Sequence, residues 1–167
     1  MEAKPNYRVN KNDIPIREIK PKAAANDSIR MRTQKVFGSQ TSLMFADRAS
    51  GYHTKPHRHD AEQFNYIVSG EIWFFVDGRG YRCKPGDIMR IPRNKVHWAW
   101  NRGDNNVVVI ESHTPSLVGD EHASQKAVGL IGPDEDPKSF LHAINSVVAM
   151  SDAEVDAIEK RAIAEEG

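Results

Sequence analysis

From Val36 to His113 the chain is cut at short intervals by glycine, proline, asparagine and aspartate, and the runs between the cuts are rich in β-branched and aromatic residues. Runs that short are too brief for stable helices but long enough for strands. We expect strands near residues 40–48, 52–59, 63–68, 72–76, 81–84, 88–91, 97–101 and 107–113. The cuts carry turn chemistry. Asp77-Gly78 supplies the positive φ angles of a tight hairpin, Pro85-Gly86 suits a turn with proline second, and residues 102–106 form a polar loop. Many short antiparallel strands at this spacing predict an all-β barrel or jelly roll.

On either side the texture changes. Residues 1–33 contain Lys4-Pro5, Ile14-Pro15 and Lys20-Pro21 with few clustered apolar groups, which predicts an extended N-terminal arm, and the barrel is expected over 34–114. In the C-terminal segment, 115–167, Gly129, Gly132-Pro133 and Asp134-Glu135-Asp136 mark surface chain. Ser151 and Glu154 then make a capping-box pair, and Val155, Ile158, Ala162 and Ile163 share one helical face, so a short helix is expected over 151–166. Its apolar face would pack on the barrel or on a neighbouring subunit.

Composition removes several function classes. Lys plus Arg, 23, equals Asp plus Glu, 23, so the basic excess needed for counterion-driven nucleic-acid binding is missing. No stretch approaches the roughly 18 consecutive apolar residues of a membrane span, and Met1 to Glu18 is too polar for a secretory signal. We expect a cytoplasmic protein without nucleic-acid or membrane partners. Cys83 is the only cysteine, so no disulfide forms within the chain, and with no basic cluster beyond Arg82 and Lys84 its thiol is structural. Arg102-Gly103-Asp104 matches an adhesion tripeptide, but turn chemistry explains it.

The chemistry gathers around the histidines. His57 and His59 are one residue apart directly after Pro56. On a helix they would diverge, whereas on a strand they share a face and can grip one ion. Gln63 opens the next strand and can bring its amide oxygen to the same ion. His97, after the turn Pro92-Arg93-Asn94-Lys95, supplies a ligand from a third strand. Three imidazoles and one oxygen leave open positions on a first-row divalent metal, as catalysis requires. The alternative is a barrel-lining cluster that holds water or a small molecule without metal.

Gly51, five residues, His57-Arg58-His59, three residues, Gln63, six residues and Gly70 resembles the first motif of the cupin superfamily, with glutamine where glutamate is usual. Gly86, five residues, Pro92, one residue, Asn94, two residues, His97, three residues and Asn101 resembles the second, with asparagine for the usual glycine at 94. Asparagine tolerates the left-handed backbone that such a turn demands. The paired resemblance covers roughly residues 34–114 and implies a cupin double-stranded β-helix barrel, often dimeric, holding one Fe, Mn, Ni, Zn or Cu ion. Residues His57 to Gln63 read HxHxxEQ, like a subgroup that includes enzymes linearising unsaturated uronates. Other subfamilies cleave aromatic rings or diketones with iron and oxygen.

Counting by two from His57 places His53 and Lys55 on the inward face as catalytic candidates, and counting from Gln63 places Asn65 and Ile67 there, with Glu62 and Tyr66 outward. Asn65, Arg90 and His113 are candidate substrate-binding residues; Arg90 is either a pocket anchor for an anion or a buried interface pair. Trp98 and Trp100 face away from His97, and Trp73-Phe74-Phe75 puts aromatics on both faces of one strand. That outward set predicts a homodimer through the aromatic face and the arm.

The sequence-based expectation is a mononuclear metal-dependent cupin, with iron favoured and an anionic small-molecule substrate. Its best reading is an oxygen-dependent dioxygenase acting on a small aromatic or enolisable acid. Two alternatives stay open. One is a non-redox isomerase or lyase for an acidic sugar, consistent with a neutral Gln63. The other is a non-catalytic small-molecule-binding cupin.

Overall fold

A computed structural model describes residues 6–20, 29–117 and 126–166. Alternation decides which side chains enter the interior. Strand β3 (Ser42–Arg48) buries Ser42, Met44, Ala46 and Arg48, and β10 (Val107–Thr114) buries Val107, Val109, Glu111 and His113, each with exposed or half-buried residues between. These two strands pair antiparallel at the centre of a sheet ordered β1 (Arg17–Ile19), β2 (Met31–Phe37), β3, β10, β5 (Glu62–Ser69) and β8 (Ile88–Ile91); β11 (Val128–Gly129) runs parallel to β2. A five-stranded sheet faces it: β12 (Asn145–Val147), β4 (His57–His59), β9 (His97–Trp100), β6 (Ile72–Val76) and β7 (Arg79–Cys83). The result is an all-β jelly-roll barrel. Ile67, Ile72, Phe74, Ile91, Val107 and Val109 form its packed core.

Turn residues do what their chemistry allows. Asp77 and Gly78 take φ of 52° and 79° in the β6–β7 hairpin. Asn94 takes φ of 62° and donates its N–H to the His59 carbonyl at 2.8 Å, tying the turn before β9 to the strand that carries His57 and His59. Asn101, fully buried, winds the following loop around its side chain: Nδ2 donates to the carbonyls of Arg48, Ala49 and Asn105, and Oδ1 accepts from Gly103.

Two features depart from expectation. The stretch read as an arm contains β1 and the start of β2, added to the sheet edge through Arg17↔Thr33, Glu18↔Arg32 and Ile19↔Met31. Ile19 and Met31 pack on Met44 and Ala46, but Arg17 and Lys35 border a cavity, so polar groups interrupt the apolar alternation that marks a strand. The run over 52–59 also fails to form one strand. Only His57–His59 is extended pairing, with an isolated bridge at His53↔Trp100. Pro56 lacks an N–H and interrupts the ladder.

β6 is buried on both faces because its outer residues have a partner in the same chain. Helix α1 (Asp152–Glu166) starts at Ser151, whose Oγ accepts the Glu154 N–H at 3.3 Å while Glu154 Oε2 accepts the Ser151 N–H at 2.8 Å. Val155 and Ala162 of α1 cover Trp73, Phe75 and Trp98. Gly80 permits the approach, since a Cβ there would lie 2.4 Å from the Ala162 Cβ. Glu159, 3% exposed, accepts from Trp98 Nε1 at 2.8 Å and locks the helix down. The aromatic face assigned to a dimer contact is therefore covered by the protein's own C-terminal helix.

Candidate metal centre

Two strands bring the imidazoles together. His57 and His97 are direct antiparallel partners in β4 and β9, and His59 is the next inward residue after His57. The three offer ligand nitrogens that all lie within 4.8 Å of one another. Each ring is aimed by a backbone carbonyl two residues away: His57 Nδ1 donates to Lys55 O at 2.8 Å, His59 Nδ1 to Ala61 O at 2.9 Å and His97 Nδ1 to Lys95 O at 2.9 Å. A carbonyl can only accept, so the proton sits on Nδ1 and every Nε2 presents a lone pair.

Gln63 meets this cluster from β5. Its Nε2 donates to Asn65 Oδ1 at 2.7 Å and to Glu111 Oε2 at 3.4 Å, which turns Oε1 toward His59 Nε2, 3.0 Å away. Two acceptors at that distance repel unless a cation lies between them. His97 Nε2, likewise, is buried without a partner. Orphaned acceptors converging from four residues fit a divalent first-row ion, with His57, His59 and His97 as nitrogen ligands and Gln63 as the oxygen.

Burial pushes His57 down to about 4 and His97 down to about 3, and it lowers His113 well below the ordinary range. All three are uncharged at neutral pH, which leaves His57 and His97 able to ligate. The same shifts carry a stability consequence. Unfolded histidine takes up a proton near pH 6.5 while folded His57 waits until about 4, so the unfolded state binds more protons in that window and stability falls as the pH drops through it. Urea midpoints of metal-free protein should decrease from about pH 7 to about pH 5, and less so in His97→Ala; equal midpoints in the wild type would contradict the buried neutral state.

The cluster opens on a cavity of about 550 Å³. His113 belongs to it, with its ring 5.5 Å from that of His59 and its Nδ1 buried and unpartnered. Lys55 borders the cavity as an exposed rim residue whose carbonyl holds His57. The other candidates lie elsewhere. His53 stacks on Trp100 at 4.8 Å and contacts Glu159 of α1 at 2.8 Å, because the break at Pro56 cancels the parity count from His57. Asn65 does point inward, but beneath Gln63: it is fully buried, accepts from Gln63 and donates to Met89 O, so it orients a ligand rather than touching substrate. Arg90 lies on the outer face, paired with Glu62 in solvent, because its neighbour Ile91 takes the inward position opposite Gln63. It is neither a pocket anchor nor a buried pair. Burial pushes the Cys83 thiol up to about 12, in keeping with an unreactive cysteine.

Sequence reading also missed a polar group of the cavity wall. Arg48 and Glu111, 5% and 3% exposed, form an ion pair inside the barrel through Arg48 Nη2 and Glu111 Oε1. The guanidinium lies 5.9 Å from the Tyr52 ring and 5.7 Å from that of Phe74. Burial pushes the Tyr52 phenol up to about 12, so it remains a neutral donor. The signal was available: Glu111 alternates with Val109 and Val107, which predicts an inward carboxylate needing a cation.

A jelly roll with three inward histidines and an amide on one open-sided site defines a metal-binding β-barrel of the cupin type. Residues 45–113 match the family model for the cupin domain, so this stretch of the chain is a cupin domain. It is 33% identical over 61 residues to an acireductone dioxygenase from Bacillus mycoides (strain KBAB4), a match spanning 34% of this chain and 36% of that protein. The chain thus spans little more than a third of the length of that curated relative. Among solved structures, a polyketide cyclase from Streptomyces resistomycificus superposes with a TM-score of 0.57 at 15% identity, covering 91% of this chain and 92% of that one. A predicted oxalate decarboxylase from Thermotoga maritima gives a TM-score of 0.57 at 16% identity over 65% of this chain and 98% of that one. These two likenesses establish the shared fold, and the family with its three-histidine group marks a metal-dependent cupin.

Proposed function

We propose that the protein is a mononuclear metal enzyme, and that its reaction is an oxygen-dependent dioxygenation of a small aromatic or enolisable acid. The observation that carries the proposal is the convergence of His57, His59, His97 and the Gln63 oxygen on the wall of a cavity large enough for such a substrate. A bound divalent ion would supply Lewis acidity to adjacent substrate oxygens and, if iron, electrons for oxygen chemistry. Asn65 and Glu111 hold the Gln63 amide in its ligating orientation. Ile91 and Phe74 line the cavity beside the imidazoles and keep that wall apolar, limiting water around the reacting groups. The similarity to an acireductone dioxygenase supports oxygen chemistry on an enolised substrate.

One feature favours a second reading. Gln63 is neutral where a carboxylate would offset metal charge, which suits non-redox isomerisation or elimination on an acidic sugar. Metal analysis of protein purified without oxygen, followed by an oxygen electrode, separates the two. About one iron per chain with oxygen uptake on phenylpyruvate or catechol-like acids is the expected result. Stoichiometric zinc or nickel without oxygen uptake would replace it by the isomerase or lyase reading, and absence of metal would leave a binding module.

A further inference from the structure

Beyond the imidazoles the cavity has a second polar wall with a sign of its own. Among the described residues, Arg17, Arg48 and Lys55 line it as cations, with Glu111 as a carboxylate. Glu111 neutralises one of them. Among the described residues the remaining two, Arg17 and Lys55, leave this wall positive before any metal charge is added. Within it, Arg48 is 5% exposed, yet its Nε and Nη1 are buried without hydrogen-bond partners. Desolvated guanidinium donors left unpaired are costly, and folded proteins rarely leave them so without an occupant. Around the guanidinium the wall is apolar and aromatic: Met31, Met44, Tyr52 and Phe74.

We infer that Arg48 is the anchor for a carboxylate of the ligand, so that the cavity takes a small two-ended acid. One end would carry the oxygens that face His57, His59 and His97, and the other would place its carboxylate against the Arg48 guanidinium where it borders the cavity, beside the Tyr52 ring. The body between them lies against Met31, Met44 and Phe74. Arg17 and Lys55 set the sign of the potential. Arg48 sets the position, because a planar guanidinium recognises a carboxylate by direction as well as charge. This inference deepens the proposed function and rests on reading the cavity as the substrate site.

The test compares the binding of 2-oxoglutarate and its 5-monomethyl ester, in which only the carboxylate far from the keto acid end is masked, by calorimetry, with metal content measured on the same samples. The variant is Arg48→Met combined with Glu111→Gln, which removes both charges and so avoids a lone buried carboxylate. We expect wild type to prefer the acid over the ester, and the double variant to lose that preference, its affinity for the acid falling about 10- to 100-fold relative to its own affinity for the ester. If the double variant fails to fold, Arg48→Lys carries the same comparison, since it keeps a cation against Glu111 and removes the planar donors. Equal binding of acid and ester by wild type, no binding of the acid at millimolar concentration, or a variant preference for the acid over the ester within about twofold of that of wild type would overturn the assignment. Metal content reports separately: protein that holds no metal but still shows the Arg48-dependent preference would sink the metal-enzyme reading and leave the anchor standing.

Discussion

Replacing His97 by alanine should strip the protein of its metal and its activity together while leaving the barrel folded. His97 projects from β9 into the cavity, and its Nε2 is buried with no partner of its own. Alanine there removes a ligand without opening the apolar core formed by Phe74, Val107 and Val109. The loss of affinity should exceed the 10- to 100-fold, roughly, that follows removal of a group merely supporting a ligand. His57→Ala should behave the same way, since the two residues face each other across β4 and β9. Metal content after dialysis, read beside a thermal melt, checks both. Because His97→Ala deletes a buried unpaired nitrogen, that metal-free variant should melt no lower than metal-free wild type. Stoichiometric metal retained in both would dismiss these residues as ligands.

Phe75→Ala should produce the largest loss of stability and no loss of metal. Phe75 is fully buried, stacked between Trp73 at 6.0 Å and Trp98 at 5.2 Å with interplanar angles of 15° on both sides, and roofed by α1. A buried phenylalanine cut to alanine costs about 3–5 kcal/mol. That is a large share of the roughly 5–15 kcal/mol that holds a domain together. The cavity would also loosen the seat of Ala162 against Gly80, so α1 should fray before the barrel melts. Urea unfolding followed by tryptophan fluorescence reads the change, and a loss under about 1 kcal/mol would show that the helix contributes little to the fold.

The barrel's strands and the clustering of the histidines were legible for a common reason. Both are written in spacings of a few residues: apolar alternation, a turn at Asp77-Gly78, two histidines one residue apart, a left-handed Asn94 four residues before Trp98. The errors came where a local count was carried across a break. His53 was counted inward through Pro56, yet no strand joins it to His57, and it turns instead toward Trp100 and Glu159. Arg90 looked like a buried charge in an apolar strand, but parity with Ile91 sends it to solvent, and that parity was already visible. Asn65 was counted to the correct face; its depth beneath Gln63 depends on packing that no count supplies.

What the sequence determined by itself is the all-β character, the hairpins, and the constellation His57, His59, Gln63 and His97, because backbone sterics and period-two geometry act between near neighbours. The tertiary structure alone decided that the arm adds strands to a cavity wall, that α1 roofs the aromatic face, and that Arg48 meets Glu111. The last two residues are 63 positions apart. Their pairing exists only because β3 and β10 align in one register with both side chains turned inward, and a register of that kind is set by the whole sheet closing on its core.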